Sequence, residues 1–465
     1  MSWKTVMNRH IPLYILTAAT LLLSACTPLR PRASTKSPDI GWPRLTSDES
    51  AISLPALPSK SDPPSADQSL LEKPLTLAAL KKYAVQKNPS ITAAMAHVRA
   101  AQSHAAQVGM RPNTRIGFSA QQIGSSADIE QVGIAVGQEI LRGNKRQLDQ
   151  AISEHDINRA RQILQSQQQR VQTDVAIGYF NVLCTQKRVE LLTNIAHINK
   201  EATEAVEALF ESKEVSKRDL LQARIESNTS KSLLQLAQSE HAAAWQVLAA
   251  VVGSTEIIDQ PLVGDLDNAV DQIVWESSLE HLLANSPEIA TRQASVQQAK
   301  VAVRRAQAES VPDINIQAIL QHDNSIGAAN GNLMVSIPVP LKNKTRARVR
   351  EAEHKLIAAQ QLVSALRLQL QQRLAPVFQT YTSSQQQITT YRESILVDAQ
   401  ESLDLTKLGY EGGEFSYLEL LTAQRTYSQA NLDYLAALQK LSVARAKIDG
   451  LLLTDSLQMQ LEAGH

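Results

Sequence analysis

Along most of the chain apolar residues return every three or four positions, the period of a helix with one buried face. Two stretches hold this period for an unusual length. Asn144 to Phe210 and Asn343 to Tyr410 contain no glycine besides Gly178 and Gly409, and Pro376 alone interrupts them. Leu148, Ile152, Ala160, Leu164, Val171, Val175, Tyr179, Val182, Val189, Leu192 and Ala196 share one face of the first. Their mean spacing of roughly 3.7 residues predicts nearly straight packing rather than the 3.5-residue seam of a left-handed coiled coil. At 1.5 Å per residue each rod reaches roughly 100 Å. Pro376 removes one backbone donor and predicts a kink in the second rod.

Ahead of each rod the period changes to two. Ile116, Phe118 and Ala120 alternate with Arg115, Gly117, Ser119 and Gln121, and Val132, Ile134 and Val136 with Gly133, Ala135 and Gly137. Ile314, Ile316, Ala318 and Leu320 repeat the pattern, followed by Leu333, Val335, Ile337 and Val339. Four strands are predicted, at about 114–123, 130–140, 313–322 and 331–340, each with one apolar and one small or polar face. That is the pattern of transmembrane β-strands. Phe118 stands alone where such barrels carry an aromatic girdle, so two half-buried hairpins of a soluble protein stay open as an alternative.

The strand–strand–rod order occurs twice because the chain is a duplication. LFESKEVSKRDLLQAR (Leu209 to Arg224) returns as GYEGGEFSYLELLTAQR (Gly409 to Arg425), with Glu211 and Glu411, Ser216 and Ser416, and Leu220 and Leu420 in matching places. Each copy lies between two helical stretches and reads as a hairpin tip. The openings match as well: LTLAALKKYAVQKNPSI at Asn88-Pro89 and WESSLEHLLANSPEI at Ser286-Pro287. A first module over 75–253, with its tip at about 211–216, is joined by a connector, 254–274, to a second over 275–455, with its tip at about 411–416; a tail covers 456–465. Return helices Lys217 to Val252 and Tyr417 to Leu452 are shorter than the rods. With the helices Ser90 to Met110 and Pro287 to Glu309 they predict two short helices stacked end to end beside each long one. The connector is expected to form part of a belt around the middle.

The N-terminus adds an address. Lys4 and Arg9 precede the apolar run Ile11 to Leu23, which ends in Leu23-Ser24-Ala25-Cys26. Residues 1–26 are similar to a bacterial lipoprotein signal in which Cys26 becomes the lipidated first residue. Thr27 rather than Asp follows, which in that class implies the outer membrane. Residues 27–74 hold nine of the 18 prolines and read as a tether. Lys plus Arg and Asp plus Glu are 46 each, so nothing in the charge calls for a nucleic-acid partner. Cys184, in the helical run IGYFNVLCTQ, reads as a packed thiol rather than a reactive one. No phosphate-binding loop, nucleophile elbow, HExxH or paired-cysteine motif is present, which points away from an enzyme; no cofactor or metal site is expected.

A membrane sheet must close, and four strands are too few, so an oligomer is required. At this point the chain resembles the TolC-like outer-membrane efflux proteins, over nearly all of 75–455. The resemblance rests on the doubled strand–strand–hairpin order, the L-T-L and N-P openings and the LL-x-A-Q tip. GQEILRGNKRQLDQA and SIPVPLKNKTRARV are similar to the strand-to-helix corners of the heavy-metal (cobalt–zinc–cadmium) branch. The resemblance implies a mainly α fold with membrane β, a homotrimer whose 12-stranded outer-membrane β-barrel is continued by a long periplasmic α-helical barrel. It also implies a passive exit duct for heavy-metal cations, a periplasmic adaptor protein and an inner-membrane resistance–nodulation–division pump. Drug efflux, type I secretion, and a periplasmic helical scaffold that never crosses the membrane stand as alternatives.

By the same resemblance the tips contact the adaptor through Ser212, Lys213, Glu214, Val215 and Ser216 and through Gly412, Gly413, Glu414, Phe415 and Ser416. Asp219 and Glu419 match the acidic positions of the gate. The same carboxylates sit where a capping box would place them, complete at Ser416–Glu419 and nearly so at Ser216–Asp219. Phe415 and Val215 equally read as staples of their turns. The second tip keeps the glycines, the aromatic and the full box, so it is expected to dominate.

Overall fold

The structure is a computed structural model that describes residues 75–123, 129–254, 261–266, 272–324, 326–339 and 344–458. The signal, Cys26 and the tether over 27–74 lie outside the described residues. The elements run α1 (Leu77–Lys87), α2 (Pro89–Gly109), β1 (Arg115–Ile123), β2 (Ile129–Ile140), α3 (Lys145–Glu211) and α4 (Lys217–Val252). The order then repeats as α5 (Trp275–Asn285), α6 (Pro287–Ala308), β3 (Ile314–Asp323), β4 (Ala328–Ser336), α7 (Lys344–Thr390), α8 (Leu396–Glu411) and α9 (Tyr417–Asp449). β4 begins and ends earlier than alternation alone places it. Pro338 has no N–H to give a ladder, so pairing stops before it.

The helices form a layer with a different order at its two ends. Next to the sheet the neighbours run α2–α3–α6–α7; next to the tips they run α4–α3–α9–α8. Thus α2 and α4 share the length of α3, as the length arithmetic requires. Asn88 joins them. Its Oδ1 accepts from the Ser90 amide at 2.9 Å, capping α2, while its Nδ2 donates 2.6 Å to the Val251 carbonyl at the end of α4. Gly253 ends α4 at φ 84°, and a Cβ there would stand 2.9 Å from the Asn88 Cα. Asn88, ahead of Pro89, is therefore a double cap, and its side chain is fully buried. The second module has Ser286 in that place, and its side chain makes no such cap.

Each module has its own core. In the first, Val171, Val175, Tyr179 and Val182 of α3 meet Leu80, Ile91, Leu248 and Val252. In the second, Leu370, Leu374 and Tyr381 meet Leu282, Ile289, Ile448 and Leu452. Glu288 joins the two, receiving Arg170 of α3 at 3.0 Å and Arg373 of α7. The connector is pinned at both described ends: Tyr179 donates to the Val263 carbonyl at 2.7 Å, and the Ile273 amide donates to the Tyr381 hydroxyl at 3.1 Å. Cys184 is buried with its Sγ near the Leu435 carbonyl, and burial pushes its thiol up to about 11.

Helix α7 continues through Pro376, so the chain is not broken there. The departure from α geometry comes later, as one π turn at Tyr391–Ile395. Its cause lies in the duplication. Above the turn, Val171, Val175 and Val182 match Leu370, Leu374 and Tyr381, all 199 positions on and all buried. Below it, Asn199 and Ala399, both buried, and Phe210 and Tyr410, both in the tip cluster, match at 200. The second rod carries one extra residue, and a single π turn takes it up without rotating the buried face.

The strands make one antiparallel sheet in the order β1–β2–β3–β4. Its register sorts most side chains by polarity, with Ala135, Ile319 and Met334 on the otherwise polar face and Gln138 and His322 on the otherwise apolar one. Ile116, Phe118, Ile134, Val136, Leu320, Leu333 and Val335 lie on one face, all exposed. Arg115, Ser119, Gln131, Gln317, Gln321, Asp323, Asn330 and Asn332, with Gly117, Gly133 and Gly137, lie on the other. The bare apolar face is unsuited to water, and β1 and β4 each leave one edge unpaired among the described residues.

Candidate functional site: the hairpin tips and the sheet

The two turns share one capping scheme, and the first box, expected to be nearly complete, is complete. The first has a complete capping box: the Asp219 amide donates to Ser216 Oγ at 3.3 Å, and the Ser216 amide and hydroxyl reach Asp219 Oδ2 at 3.1 and 2.6 Å. Aspartate is one carbon shorter than the glutamate of the usual box but still spans the gap. In the second, the Ser416 amide and hydroxyl donate to Glu419 Oε2 at 2.6 and 2.8 Å. The Ser416 amide and hydroxyl hold the Glu419 carboxyl below the usual carboxylate range. Glu419 is exposed and Asp219 half-buried, and both proposed gate carboxylates fold back onto their own helix starts.

The missing glycines do not change the first turn either. Lys213 takes φ 64° where Gly413 takes 78°. The Glu214 amide donates to the Leu209 carbonyl at 2.9 Å, and the Glu414 amide to the Gly409 carbonyl at 2.8 Å. Lys213 holds the left-handed conformation at a cost of about 1 kcal/mol that glycine avoids. Phe415 remains partly exposed but lies over Gly409, where a Cβ would overlap its ring. The staple reading therefore holds for one side of that ring and leaves its other side to solvent. Ser212, Lys213, Glu214, Gly412, Gly413 and Glu414 are exposed at the two turns.

Residues outside these turns hold the tips together, and the sequence reading passed them over. Tyr417 is buried between the hairpins with Val206, Leu220, Ala223 and Leu421. Its ring meets that of Tyr410 at 6.0 Å between centroids. Burial, then Tyr410 and Glu226, push the Tyr417 hydroxyl up to about 12, against the pull of Arg425. Burial, then the Asp219 carboxylate, raise Tyr410. Arg425 of α9 donates through Nε to Glu226 of α4 at 2.9 Å, and Nη2 reaches the same oxygen. One available signal was the tyrosine pair flanking the second turn, where the first copy has Phe210 and Lys217.

Among the described residues no three His, Cys, Asp or Glu side chains gather as a metal site, and no helix is long and apolar enough to cross a membrane.

Comparison with known proteins agrees with this geometry. The family model described as outer membrane efflux protein matches residues 80–254 and 278–452, the two modules in turn. The cobalt-zinc-cadmium resistance protein CzcC of Cupriavidus metallidurans is 25% identical over 379 residues, covering 82% of this chain and 90% of its own. The outer-membrane channel OprN superposes with a TM-score of 0.70 at 19% identity, over 83% of this chain and 92% of that one. CusC, described with its transmembrane channel formation, gives 0.68 at 17% identity, over 81% and 91%. With both modules matched, each across its helices and strands, the chain belongs to the outer membrane efflux protein family.

Proposed function

We propose that the chain is the exit duct of a tripartite metal-efflux system, carrying heavy-metal cations from the periplasm across the outer membrane. The observation that carries this reading is the four-stranded sheet with an apolar outer face, a polar inner face and two free edges. Hydrocarbon tolerates no free edge, so β4 of one copy pairs with β1 of the next. Three copies close twelve strands. The helical layer, ending in α2 and α4 on one side and in α7 and α8 on the other, closes below as the periplasmic wall. A duct of this kind needs neither a cofactor nor an energy source; an inner-membrane resistance–nodulation–division pump supplies the drive. Both tips meet the periplasmic adaptor through 212–216 and 412–416. Asp219 and Glu419 line the constriction when the tips are drawn together, and a lipidated Cys26 anchors each copy. The likeness to CzcC supports cobalt, zinc and cadmium as cargo.

The test is metal tolerance. A strain lacking this protein should lose tolerance to Co²⁺, Zn²⁺ and Cd²⁺ and regain it on expression of the full chain. Unchanged tolerance to all three would overturn the metal assignment.

A further inference from the structure

At the end of the sheet remote from the helices, the inner face gathers a polar cluster that the passage itself does not require. Asp323 pairs with Gln131 across the sheet, and Gln321, two residues before Asp323 on the same face, pairs with Asn330. Gln321 and Asp323 are 5% and 6% exposed. The groups are linked: Gln131 Nε2 donates to Asp323 Oδ2 at 2.9 Å, and Gln321 Nε2 donates to Gln131 Oε1 at 2.6 Å. This chain of donors uses the nitrogen ends and points negative charge one way. Two carboxamide oxygens are then left over. Gln321 Oε1 and Asn330 Oδ1 are buried with no hydrogen-bond partner among the described residues. Gly133 makes the packing possible, since a Cβ there would stand 2.6 Å from the Gln321 Cα and Cβ.

A buried acceptor without a donor loses its hydration and gains nothing in return. Two of them beside a carboxylate, on the water-facing side of a barrel wall, are the wrong choice for empty space and the right one for a cation. We propose that Asp323, Gln321 and Asn330 of each protomer seat a hard divalent cation, Mg²⁺ or Ca²⁺, at the outer mouth of the lumen. Waters complete the shell. An all-oxygen donor set with one carboxylate favours such ions over the borderline metals that prefer nitrogen and sulfur ligands. The seat therefore sets charge at the exit without trapping Zn²⁺ or Cd²⁺ in transit. With one charged ligand, affinity falls in the weak extracellular range, with a dissociation constant of about 1 mM. This inference rests on the duct reading for its inner face, but not for its binding chemistry.

Mn²⁺ serves as the probe, titrated into the detergent-purified full chain and followed by its electron paramagnetic resonance signal. The wild type should take up Mn²⁺ in competition with Mg²⁺, and Asp323→Asn should lower that affinity by about tenfold or more. Glu351→Gln, an exposed carboxylate on α7, should leave it unchanged. Equal binding by wild type and Asp323→Asn overturns the seat, whether or not the protein conducts. Gln321→Leu separates coordination from charge: it removes the orphan oxygen but keeps the carboxylate, and should weaken binding too. Full affinity in that variant would reduce the site to a lone carboxylate and also overturn it. Planar-bilayer conductance of the same samples tests the duct reading separately.

Discussion

Two residues carry costs or duties that their neighbours in the duplicate do not. Asn88 serves two helices with one side chain, so its loss strips a cap from α2 and leaves the Val251 carbonyl unanswered in a dry site. Asn88→Ala should lower stability by about 2–3 kcal/mol, read as an earlier thermal transition of the first module. Ser286→Ala, in a place where no cap bond is made, should change little. Lys213 is the reverse case. Its φ of 64° is a glycine conformation held by a lysine. Lys213→Gly should stabilise the first turn by about 1 kcal/mol, seen as slower amide exchange at 212–216. The sequence showed the missing glycine but not its consequence. The backbone of the turn is set by the bonds to the Leu209 carbonyl and by the Ser216 cap, and both survive without glycine. Tyr417 and Arg425 were illegible for another reason: their partners Glu226 and Leu220 belong to the other copy, and no local pattern reports a contact across two hundred positions.

Among the elements, the strands and rods were legible because their periods differ and persist for many residues. What pattern alone missed was an offset. The extra residue of the second rod shows only when buried positions above and below Tyr391 are compared between copies. Pro376 was the more conspicuous breaker, yet the helix continues past it and its next irregularity is the π turn at Tyr391–Ile395. If that turn merely stores one residue, removing Ser394 should restore a continuous α-helix and keep Leu374 and Ala399 on the buried face. Removing one residue from the matching part of α3, such as Thr193, should instead rotate Asn199 and Val206 by about 100° off their contacts. Thermal melts check this: the Ser394 deletion should cost less than the Thr193 deletion. Equal losses would mean that the π turn is itself required. Tyr391 bonds Asp433 of α9, so some loss is expected even from the better-tolerated deletion.

The described residues make a wall segment. Their sheet is apolar on one face and mostly polar on the other, and their helices run in a layer whose two edges lack partners among the described residues. The tips are drawn together by the buried Tyr417 and by the Arg425–Glu226 pair, the latter at an exposed arginine where solvent weakens it. We propose that the tips rest closed but lightly held, beneath a barrel of which the sheet is one third. Single-channel recording of the purified full chain in planar bilayers tests this most directly. Wild type should insert with small, discrete conductance steps, and Arg425→Ala combined with Asp219→Asn and Glu419→Gln should enlarge them several-fold. No steps from either protein, despite its recovery in the outer-membrane fraction, would contradict the account.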